Sequence, residues 1–372
     1  MAKIRTGIIG CGGIANQKHL PALKSFADRC DIVAFCDIII ERAEKAAKEY
    51  GAPGAKVYSD YKEMLADKSL NLDDVHICTP NVSHCPIAVD SFAAGMNVIC
   101  EKPMAATTED AAKMMEAWKA SGKLFTIGYQ NRYRPEVQAL KKIVEAGELG
   151  DIYYAKAHAI RRRAVPTWGV FPDKSKQGGG PLIDIGTHAL DLTLWMMDNY
   201  KPKSVMGASF EKLGTLLEPG NQGNSFGDWD NKTYEVEDSA FGFITMEDGS
   251  VINLESSWAL NTLDVGEAET FLSGTKGGAD LRDASGEKAG LRINNIVANK
   301  MSVTIPSVGG PSGVAFFEGS GELPAPQMEA KIWLDALEGK GELCVKPEQA
   351  FTVTKILDAI YKSAASGELV KF

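Results

Sequence analysis

Apolar runs and helical patterns alternate along the first third of the chain. Short apolar runs predict buried strands at 4–9, 32–37, 56–58, 74–79, 97–100 and 124–128. Apolar residues at helical spacing predict helices between them, over 41–50, 61–67, 86–94 and 108–120. Strands that alternate with helices are typical of a parallel, doubly wound sheet. We therefore predict an α/β domain of this kind over residues 1–128.

In the second half of the chain the apolar spacing changes to an alternation of period two. Residues 239–246 and 250–258 alternate on either side of Asp248-Gly249, a dipeptide typical of tight hairpins. Further strands are expected at 269–278 and 301–305, and terminal helices are expected at 329–338 and 348–364. A loop rich in Gly, Asn and aromatic residues is expected at 214–231. We predict a second α/β domain over 129–372, with a large, mostly antiparallel open sheet and helices on one face. A matching sheet from another subunit would cover the other face.

The first strand runs directly into a glycine-rich turn, Gly10-Cys11-Gly12-Gly13-Ile14-Ala15. This is the G-x-G-x-x-A form of the dinucleotide fingerprint, in which the glycines allow a tight turn and a close approach of backbone to pyrophosphate. The second strand ends at Asp37, 25 positions after Gly12 and near the ~20 expected of an acid that binds ribose hydroxyls. We predict NAD as cofactor, while Arg42 leaves NADP open.

Two other strands of the first domain also end in polar residues. Thr79-Pro80-Asn81 with His84 follows one strand, and Glu101-Lys102-Pro103 follows the next. Ligands of doubly wound sheets bind outside the carboxyl ends of the strands, so both segments are expected at the cofactor crevice. Lys102 is suited to donate to a substrate oxygen and stabilise alkoxide charge. The alternatives are a surface Glu-Lys pair and, for His84, an imidazole bonded to backbone.

The segment from Gly178 to Asp191 carries the second set of candidate residues. A glycine run precedes Pro181 at a predicted helix start, and apolar residues follow at helical spacing. Asp184 and His188 are four positions apart and share one helix face. A carboxylate beside an imidazole, behind a flexible glycine run, suits proton transfer at a hydroxyl. The alternative is a capping aspartate and a buried, hydrogen-bonded histidine.

Composition narrows the class of protein. With 372 residues, a net charge of −9 and a pI near 5.3, the chain is expected to bind neither nucleic acid nor anionic membranes. It starts without a signal-peptide pattern and has no apolar stretch of the ~20 residues that span a bilayer. Its seven cysteines show no metal-site spacing. We therefore predict a reduced, cytoplasmic protein without a metal site.

These motifs together resemble the Gfo/Idh/MocA family, the group of glucose-fructose oxidoreductases and inositol dehydrogenases. The resemblance rests on the glycine fingerprint, on Thr79-Pro80-Asn81 with His84, on Glu101-Lys102-Pro103, and on Asp184 with His188. It implies a Rossmann domain and an α/β domain with a large open sheet that packs into homodimers or homotetramers. It also implies a small-molecule sugar or glycoside as substrate.

The resemblance further implies roles for individual residues. The catalytic and substrate-binding set is Lys102, Asp184 and His188, with Tyr133 and Arg163 as further substrate contacts. Cofactor contacts are expected from Gly10, Gly12, Gly13, Ile14, Asp37, Thr79, Asn81, His84, Glu101, Gln130 and Trp168. The expected reaction is hydride transfer between a nicotinamide cofactor and a ring hydroxyl of a sugar, at C3 of a glucoside as first choice. In it, His188 takes the hydroxyl proton and Lys102 holds the oxygen.

Three other functions stay open at this point. Some relatives retain NAD and cleave glycosides by transient oxidation and elimination, without net redox change. Inositol oxidation is a second alternative. A sugar-sensing regulator is a third, although a sensor does not need the proton-transfer set of Lys102, Asp184 and His188.

Overall fold

A computed structural model describes residues 2–216, 223–282, 290–308 and 323–372. The chain divides into two compact units. Unit 1 comprises Met1–Tyr133 and Leu323–Phe351, and unit 2 comprises Arg134–Glu322 and Thr352–Phe372. The sequence predicts a boundary after residue 128 with everything beyond it in the second domain. Unit 1 instead extends to Tyr133 and also includes a segment from near the C-terminus.

Unit 1 contains a six-stranded parallel sheet with the strand order β3-β2-β1-β4-β5-β6. With elements numbered in chain order, its strands are β1 (Ile4–Ile9), β2 (Cys30–Cys36), β3 (Lys56–Tyr58), β4 (Asp74–Ile77), β5 (Asn97–Cys100) and β6 (Phe125–Ile127). Its helices are α1 (Leu20–Lys24), α2 (Ile40–Tyr50), α3 (Tyr61–Ala66), α4 (His84–Ala93), α5 (Thr108–Ser121) and α9 (Ala325–Leu337). This strand order is that of dinucleotide-binding sheets, so the predicted doubly wound fold is confirmed.

The segment Leu323–Phe351 belongs to unit 1 because its side chains complete the core and the buried polar contacts of that unit. Leu334 of α9 is fully buried in one hydrophobic cluster with Ile8 and Phe35. The Trp333 indole donates to the Asp74 carboxylate across 2.7 Å. A helical pattern alone indicates that α9 has a buried face, but not which domain buries it.

The described residues of unit 2 form a nine-stranded sheet with the order β14-β13-β12-β11-β7-β10-β9-β8-β15. Its strands are β7 (Ile152–Ile160), β8 (Pro202–Phe210), β9 (Ser239–Met246), β10 (Val251–Ser257), β11 (Gly266–Gly274), β12 (Gly277–Arg282), β13 (Gly290–Val297), β14 (Lys300–Thr304) and β15 (Val370–Lys371). Strands β7 and β10 pair in parallel, and the other neighbouring pairs of this list are antiparallel. The predicted, mostly antiparallel open sheet is therefore confirmed.

The remaining helices are α6 (Pro135–Glu145), α7 (Lys174–Gln177), α8 (Thr187–Met197) and α10 (Pro347–Ser366), the last of which runs from unit 1 into unit 2. In unit 2, Ile360 of α10 packs closely on Gly207 and Gly242 of the sheet, where a Cβ would come within 2.6 Å of it. On β9 the alternate residues Ala240 and Ile244 are fully buried, whereas Phe243 is 52% exposed. Helices thus cover one face of the sheet and leave residues such as Phe243 on the other.

The sequence predictions for this half differ from the structure in several elements. The hairpin at Asp248-Gly249 is present, with Gly249 at φ +88°. The stretch 269–278, expected as one strand, forms parts of β11 and β12 on either side of a turn. Strands β7, β8 and β13 and helix α6 are additional elements. Of the loop expected at 214–231, residues 217–222 lie outside the described residues, and the described parts contain neither helix nor strand.

Candidate active site

The glycine loop after β1 is shaped by close packing at one position and open space at two others. Gly10 has φ +92°, and a Cβ there would lie 2.7 Å from the carbonyl group of Cys78. No atom lies within 4 Å of a Cβ placed on Gly12 or Gly13. The Asn16 amide donates to the carbonyl oxygens of Cys11 and Gly12, across 2.8 and 2.7 Å, and holds the loop in place. The backbone at Gly12 and Gly13 is thus accessible to a bound phosphate group.

Asp37 lies against this loop, as the fingerprint predicts. Its Oδ2 accepts from the Cys11 backbone N–H across 2.8 Å, and its Oδ1 accepts from the Ile39 N–H across 2.9 Å. The residue is 7% exposed. A carboxylate fixed beside open glycine backbone is the arrangement expected for a dinucleotide whose ribose hydroxyls bind the acid. The residues of unit 1 therefore fit NAD.

The helix that follows begins with a π-helical turn, Ala15–His19, before α1. Half-buried Ile14 is its N-terminal flanking residue. The sequence predicts an ordinary helix start here. A π turn shifts the direction of the side chains, and such turns are common at functional sites. Here it places Lys18 and His19 in the interior of unit 1, where both are buried.

At the end of β4, the Thr79 hydroxyl is a polar group available for a ligand. Its Oγ1 is buried and has no hydrogen-bond partner among the described residues. Buried polar groups are almost always paired, so a bound molecule is the natural partner for it. Asn81 starts a short 3₁₀ turn two positions later. The cofactor contacts of Thr79 and Asn81 stay predictions.

His84 differs from its predicted role as a direct cofactor contact. Its Nδ1 lies 2.8 Å from the Pro103 carbonyl oxygen and its Nε2 lies 2.9 Å from that of Thr79. The residue is completely buried, and burial lowers the pKa of its imidazole. Both ring nitrogens face backbone carbonyls, so His84 lies between the two segments that leave β4 and β5 and its one N–H donates to one of them. The sequence alternative, an imidazole bonded to backbone, describes it better.

Glu101 also differs from the prediction, because its carboxylate is occupied by groups of unit 1. Its Oε1 accepts from Lys18 Nζ across 2.6 Å and lies 2.9 Å from His19 Nε2. Its Oε2 accepts from the backbone N–H of Lys102 across 3.1 Å. Burial would raise the pKa of Glu101, but the Lys18 charge and the His19 hydrogen bond lower it well below its ordinary value. Glu101 therefore stays charged and holds the backbone of Lys102.

A buried polar cluster extends from Glu101 through unit 1. Lys18 Nζ forms a second ion pair with Glu329 of α9 at 2.8 Å. On the other side, the Nδ1 atoms of His19 and His76 lie 2.8 Å apart, and His76 Nε2 lies 3.3 Å from Asp74. Burial would lower the pKa of Lys18, but the carboxylates of Glu101 and Glu329 raise it above its ordinary value. Burial lowers the pKa of His19 to about 4, so this imidazole is neutral at pH 7.

Two further residues of unit 1 were predicted at the site from the resemblance. Gln130 begins a 3₁₀ turn, Gln130–Tyr133, and is half-buried. Tyr133 ends that turn and is 4% exposed. A ring with so little exposed surface offers no open face to a sugar, so the structure does not support the predicted substrate contact of Tyr133.

In unit 2, Asp184 and His188 differ from their neighbours in exposure. Leu182–Gly186 forms a π-helical turn after Pro181, and α8 continues from Thr187. From Gly179 to Leu190 these two residues are half-buried, and all the others are buried. The predicted helix start is present, and the partial exposure of both Asp184 and His188 is what a shared face would give. A carboxylate and an imidazole are therefore the side chains that this buried helix start leaves accessible.

The glycine run before this helix is tightly packed, which contradicts its expected flexibility. A Cβ on Gly179 would lie 2.1 Å from the Tyr361 hydroxyl, and one on Gly180 would lie 2.3 Å from the Glu237 carbonyl oxygen. The Glu237 carboxylate accepts from the Gly180 N–H at 2.9 Å, from the Leu182 N–H at 3.1 Å and from the Tyr361 hydroxyl at 2.8 Å. Burial raises the pKa of Glu237. Glycine is needed here for close approach.

Asp184 is held by an indole. Trp258, which is fully buried, donates from Nε1 to Asp184 Oδ2 across 3.1 Å. Arg161 forms a two-pronged ion pair with Glu267. Burial would lower the pKa of Arg161, but Glu267, together with the negative charge of Asp184, raises it. A fixed carboxylate with a cation nearby is suited to bind and orient a hydroxyl group.

The roles of Trp168 and Arg163 as cofactor and substrate contacts stay predictions, and the structure shows which groups of unit 2 surround the two side chains. Trp168 contacts Phe171 and Phe226 in an aromatic cluster, with ring centres 5.9 and 4.7 Å away. Arg163 donates to the Asn261 side chain across 2.8 Å and to the Arg162 carbonyl across 2.7 Å. Both of these Arg163 bonds tie its guanidinium to its own unit.

Several residues that shape the site carry no local signal in the sequence. Lys18, Glu237 and Trp258 are important only because of partners that are distant in the sequence. His76 is the exception, because a histidine flanked by Val75 and Ile77 in a predicted strand indicates a buried imidazole.

In the described ranges no helix has the length and apolarity to cross a bilayer. The same ranges contain no group of metal-ligating side chains.

Comparison with known proteins identifies related chains over nearly the whole length. Residues 4–129 match a family model described as "Oxidoreductase family, NAD-binding Rossmann fold", and residues 137–280 match the "GFO/IDH/MocA C-terminal domain". The chain is 34% identical over 374 residues to a D-glucoside 3-dehydrogenase of Escherichia coli (strain K12), covering 99% of this chain and 97% of that one. It is 31% identical to an inositol 2-dehydrogenase of Salmonella typhimurium, covering 58% and 61%.

A solved structure supports the fold. Levoglucosan dehydrogenase, in complex with NADH and levoglucosan, superposes with a TM-score of 0.81 and 21% identity, covering 100% of this chain and 99% of that one. At this level of identity the likeness shows the fold.

Proposed function

Because the chain belongs to the Gfo/Idh/MocA family of NAD-binding oxidoreductases, we propose that it oxidises a ring hydroxyl of a sugar, at C3 of a glucoside. The main support for this choice of substrate is the sequence similarity to a D-glucoside 3-dehydrogenase along nearly the whole chain. The accessible pair Asp184 and His188 supports it, because an acid and an imidazole on one helix face are suited to a hydroxyl substrate.

NAD is the cofactor that unit 1 fits. The proposed contacts are the open backbone at Gly12 and Gly13, the Asp37 carboxylate and the buried Thr79 hydroxyl. Gly10, Ile14, Asn81 and Gln130 complete the proposed set. The fixed charge of Asp37 disfavours the 2′-phosphate of NADP.

The proposed chemistry assigns one task to each catalytic residue. His188 accepts the proton of the substrate hydroxyl. Lys102 donates a hydrogen bond to the same oxygen and stabilises its developing negative charge. Asp184, with Oδ2 held by Trp258, binds a neighbouring hydroxyl and orients the sugar. Bound NAD supplies the hydride acceptor.

The first experiment mixes the purified protein and NAD with methyl and aryl glucosides, free hexoses and inositols. We expect NADH absorbance to rise with glucosides, together with a keto-sugar about two mass units lighter than its substrate. A signal from inositols alone would replace the glucoside with an inositol. Glycoside cleavage without NADH would overturn the dehydrogenase in favour of a hydrolase that retains its cofactor.

The catalytic assignment is tested with Lys102→Met and His188→Asn. Each is expected to lower kcat by more than ~100-fold, because each removes a proton-transfer or oxyanion-stabilising group. NAD affinity, measured by calorimetry, is expected to stay close to that of the unchanged protein. Near-normal turnover in either variant would contradict its role.

We also propose that a second copy of the chain covers the open face of the unit 2 sheet. Phe243 and Met206, paired across β9 and β8, are 52% and 44% exposed on that face. Large exposed apolar patches are typical of association surfaces. We expect light scattering to show a dimer or a tetramer, and Phe243→Asp to dissociate it, whereas Leu263→Asp, at a residue 87% exposed in a loop, leaves it intact. A monomeric starting protein would contradict this assignment.

A cytoplasmic location is the last part of the proposal. None of the seven cysteines, all of which lie in the described residues, forms a disulfide, and six of them are buried. Thiols without disulfides are typical of proteins in reducing compartments. Fractionation of cells that express the protein is the direct measurement.

A further inference from the structure

A chain of aromatic rings leads from the candidate catalytic carboxylate of unit 2 to the surface. Trp258, which holds Asp184, contacts Phe171 edge-to-face at 6.2 Å between ring centres. Phe171 contacts Trp168 at 5.9 Å, and Trp168 contacts Phe226 at 4.7 Å. Contacts of this geometry stabilise aromatic pairs. The four rings thus form one continuous cluster that begins at Asp184.

Exposure increases along this cluster. Trp258 is fully buried, Phe171 is half-buried, and Trp168 and Phe226 are 52% and 41% exposed. A large aromatic pair left at the surface beside a candidate active site is a surface that a ligand can cover. We call Trp168 and Phe226 the aromatic platform.

Hydrogen bonds join the two loops that carry the platform. The Thr167 hydroxyl donates to the Phe226 carbonyl oxygen across 2.6 Å. The backbone N–H of Ser225 donates to the Arg163 carbonyl oxygen across 2.9 Å. The Asn224 side chain accepts from the Val165 N–H across 2.8 Å. Because these bonds fix the backbone of both loops before any ligand binds, stacking on the platform loses less conformational entropy than stacking on rings carried by unlinked loops.

Three polar side chains beside the platform, those of Arg161, Arg163 and Thr167, form hydrogen bonds within unit 2. Arg161 pairs with Glu267 and donates to the Ala164 carbonyl, and its guanidinium lies over the Phe226 ring at 5.8 Å. Arg163 donates to Asn261, and the Thr167 hydroxyl donates to Phe226. A second sugar ring would bring hydroxyl groups that need partners when desolvated. A planar apolar ring needs only the aromatic surface that the platform presents.

We propose that the aromatic platform is a subsite for the planar aryl aglycone of a glucoside whose sugar ring is bound at Asp184. The proposal rests on the proposed glucoside oxidation and adds the class of glucoside to it. It makes Trp168 a specificity-determining residue and assigns it the aglycone rather than the cofactor.

The test compares the ratio of kcat/KM for p-nitrophenyl glucoside to that for methyl glucoside. We expect the unchanged protein to favour the aryl substrate, and Trp168→Ala to lower the ratio about tenfold, mainly through KM for the aryl glucoside. Trp168→Phe, which keeps a ring, is expected to retain most of the ratio. The matched control Leu263→Ala, at an exposed residue of the same unit outside the platform, is expected to leave the ratio unchanged.

Three results would overturn the subsite. The unchanged protein could show no aryl preference, Trp168→Ala could leave the ratio unchanged, or a glucosyl disaccharide such as cellobiose could be used better than the aryl glucoside. Calorimetric binding of p-nitrophenyl glucoside to the NAD-loaded protein separates this proposal from the proposed function. Binding that weakens in Trp168→Ala supports the subsite even if no glucoside is oxidised, and binding that does not weaken contradicts it.

Discussion

In unit 1 the strand end that carries Lys102 is stabilised by buried ions. In unit 2 the helix start that carries Asp184 is instead stabilised by one carboxylate that accepts hydrogen bonds from neutral donors. Glu101 receives a charged lysine, a neutral imidazole and the backbone N–H of Lys102. Glu237 receives two backbone N–H groups and a tyrosine hydroxyl. Both carboxylates are buried, yet their pKa values shift in opposite directions.

This difference shows how the surroundings decide the state of a buried acid. In unit 1 the Lys18 charge outweighs burial and keeps Glu101 ionised. In unit 2 burial outweighs the hydrogen bonds, and the pKa of Glu237 rises. The two supports should therefore respond differently to removal of a charge and to pH.

The largest expected effect is the loss of the buried cation of unit 1. Lys18→Met leaves the carboxylates of Glu101 and Glu329 buried without their shared partner, which is expected to cost about 3–5 kcal/mol of unfolding free energy. Denaturant unfolding measures the change. Lys24→Met, at an exposed lysine of α1, is the matched control and should stay within about 0.5 kcal/mol. Equal effects of the two substitutions would show that the buried ions do not support unit 1.

A smaller effect on stability is expected from a fall in pH, and its sign is opposite for His19 of unit 1 and Glu237 of unit 2. The pKa of His19 is held at about 4, below its ordinary 6.5, so its stabilising contribution is complete above pH 6.5 and is lost as pH falls to about 4. The raised pKa of Glu237 acts oppositely, with a contribution that is complete below its ordinary 4.5 and lost as pH rises.

Calorimetric melting between pH 7 and pH 4 measures this dependence. The unchanged protein should lose roughly 3 kcal/mol more than His19→Gln over this range, because glutamine does not titrate. His19 is surrounded by Glu101, Lys18 and His76, which stay in the variant. Parallel stability curves for the two proteins would show that His19 does not produce the acid sensitivity.

The smallest effect is expected from the support of unit 2. Glu237→Gln keeps one carbonyl acceptor but points an amide group at a backbone N–H, which should cost about 1–3 kcal/mol. Since Asp184 and His188 follow this anchor, kcat should fall while NAD affinity is maintained. Glu235→Gln, at an exposed acid two positions earlier, is the control. Unchanged stability and kcat would exclude a positioning role for Glu237.

Local patterns in the sequence predict much of unit 1. The parallel sheet, the glycine loop and Asp37 all follow from runs of a few residues, because backbone conformation and close approach are local requirements. Strand β7 was harder to predict, since its alanines at 155, 157 and 159 are small and favour helix, although all three are fully buried. Helix α6 has a helical pattern that begins at Pro135, a signal that was present in the sequence.

The supports of the site are not predictable in this way. Lys18 resembles any surface lysine until Glu329, more than three hundred positions later, is placed beside it. Tyr361 and Glu237 explain why Gly179 and Gly180 are glycines, yet both lie far along the chain. Such contacts depend on which segments meet in the folded protein, which no single run of residues specifies.

Because Leu323–Phe351 belongs to unit 1, it affects how the chain of this enzyme can be divided into separate domains. A fragment that stops at residue 133 keeps the whole parallel sheet but lacks α9, so Asp74 loses the Trp333 indole and Lys18 loses Glu329. Splicing residues 2–133 to 323–351 through a short linker would restore both partners. A nucleotide-binding domain prepared on its own therefore has to be assembled from two separate stretches of the gene.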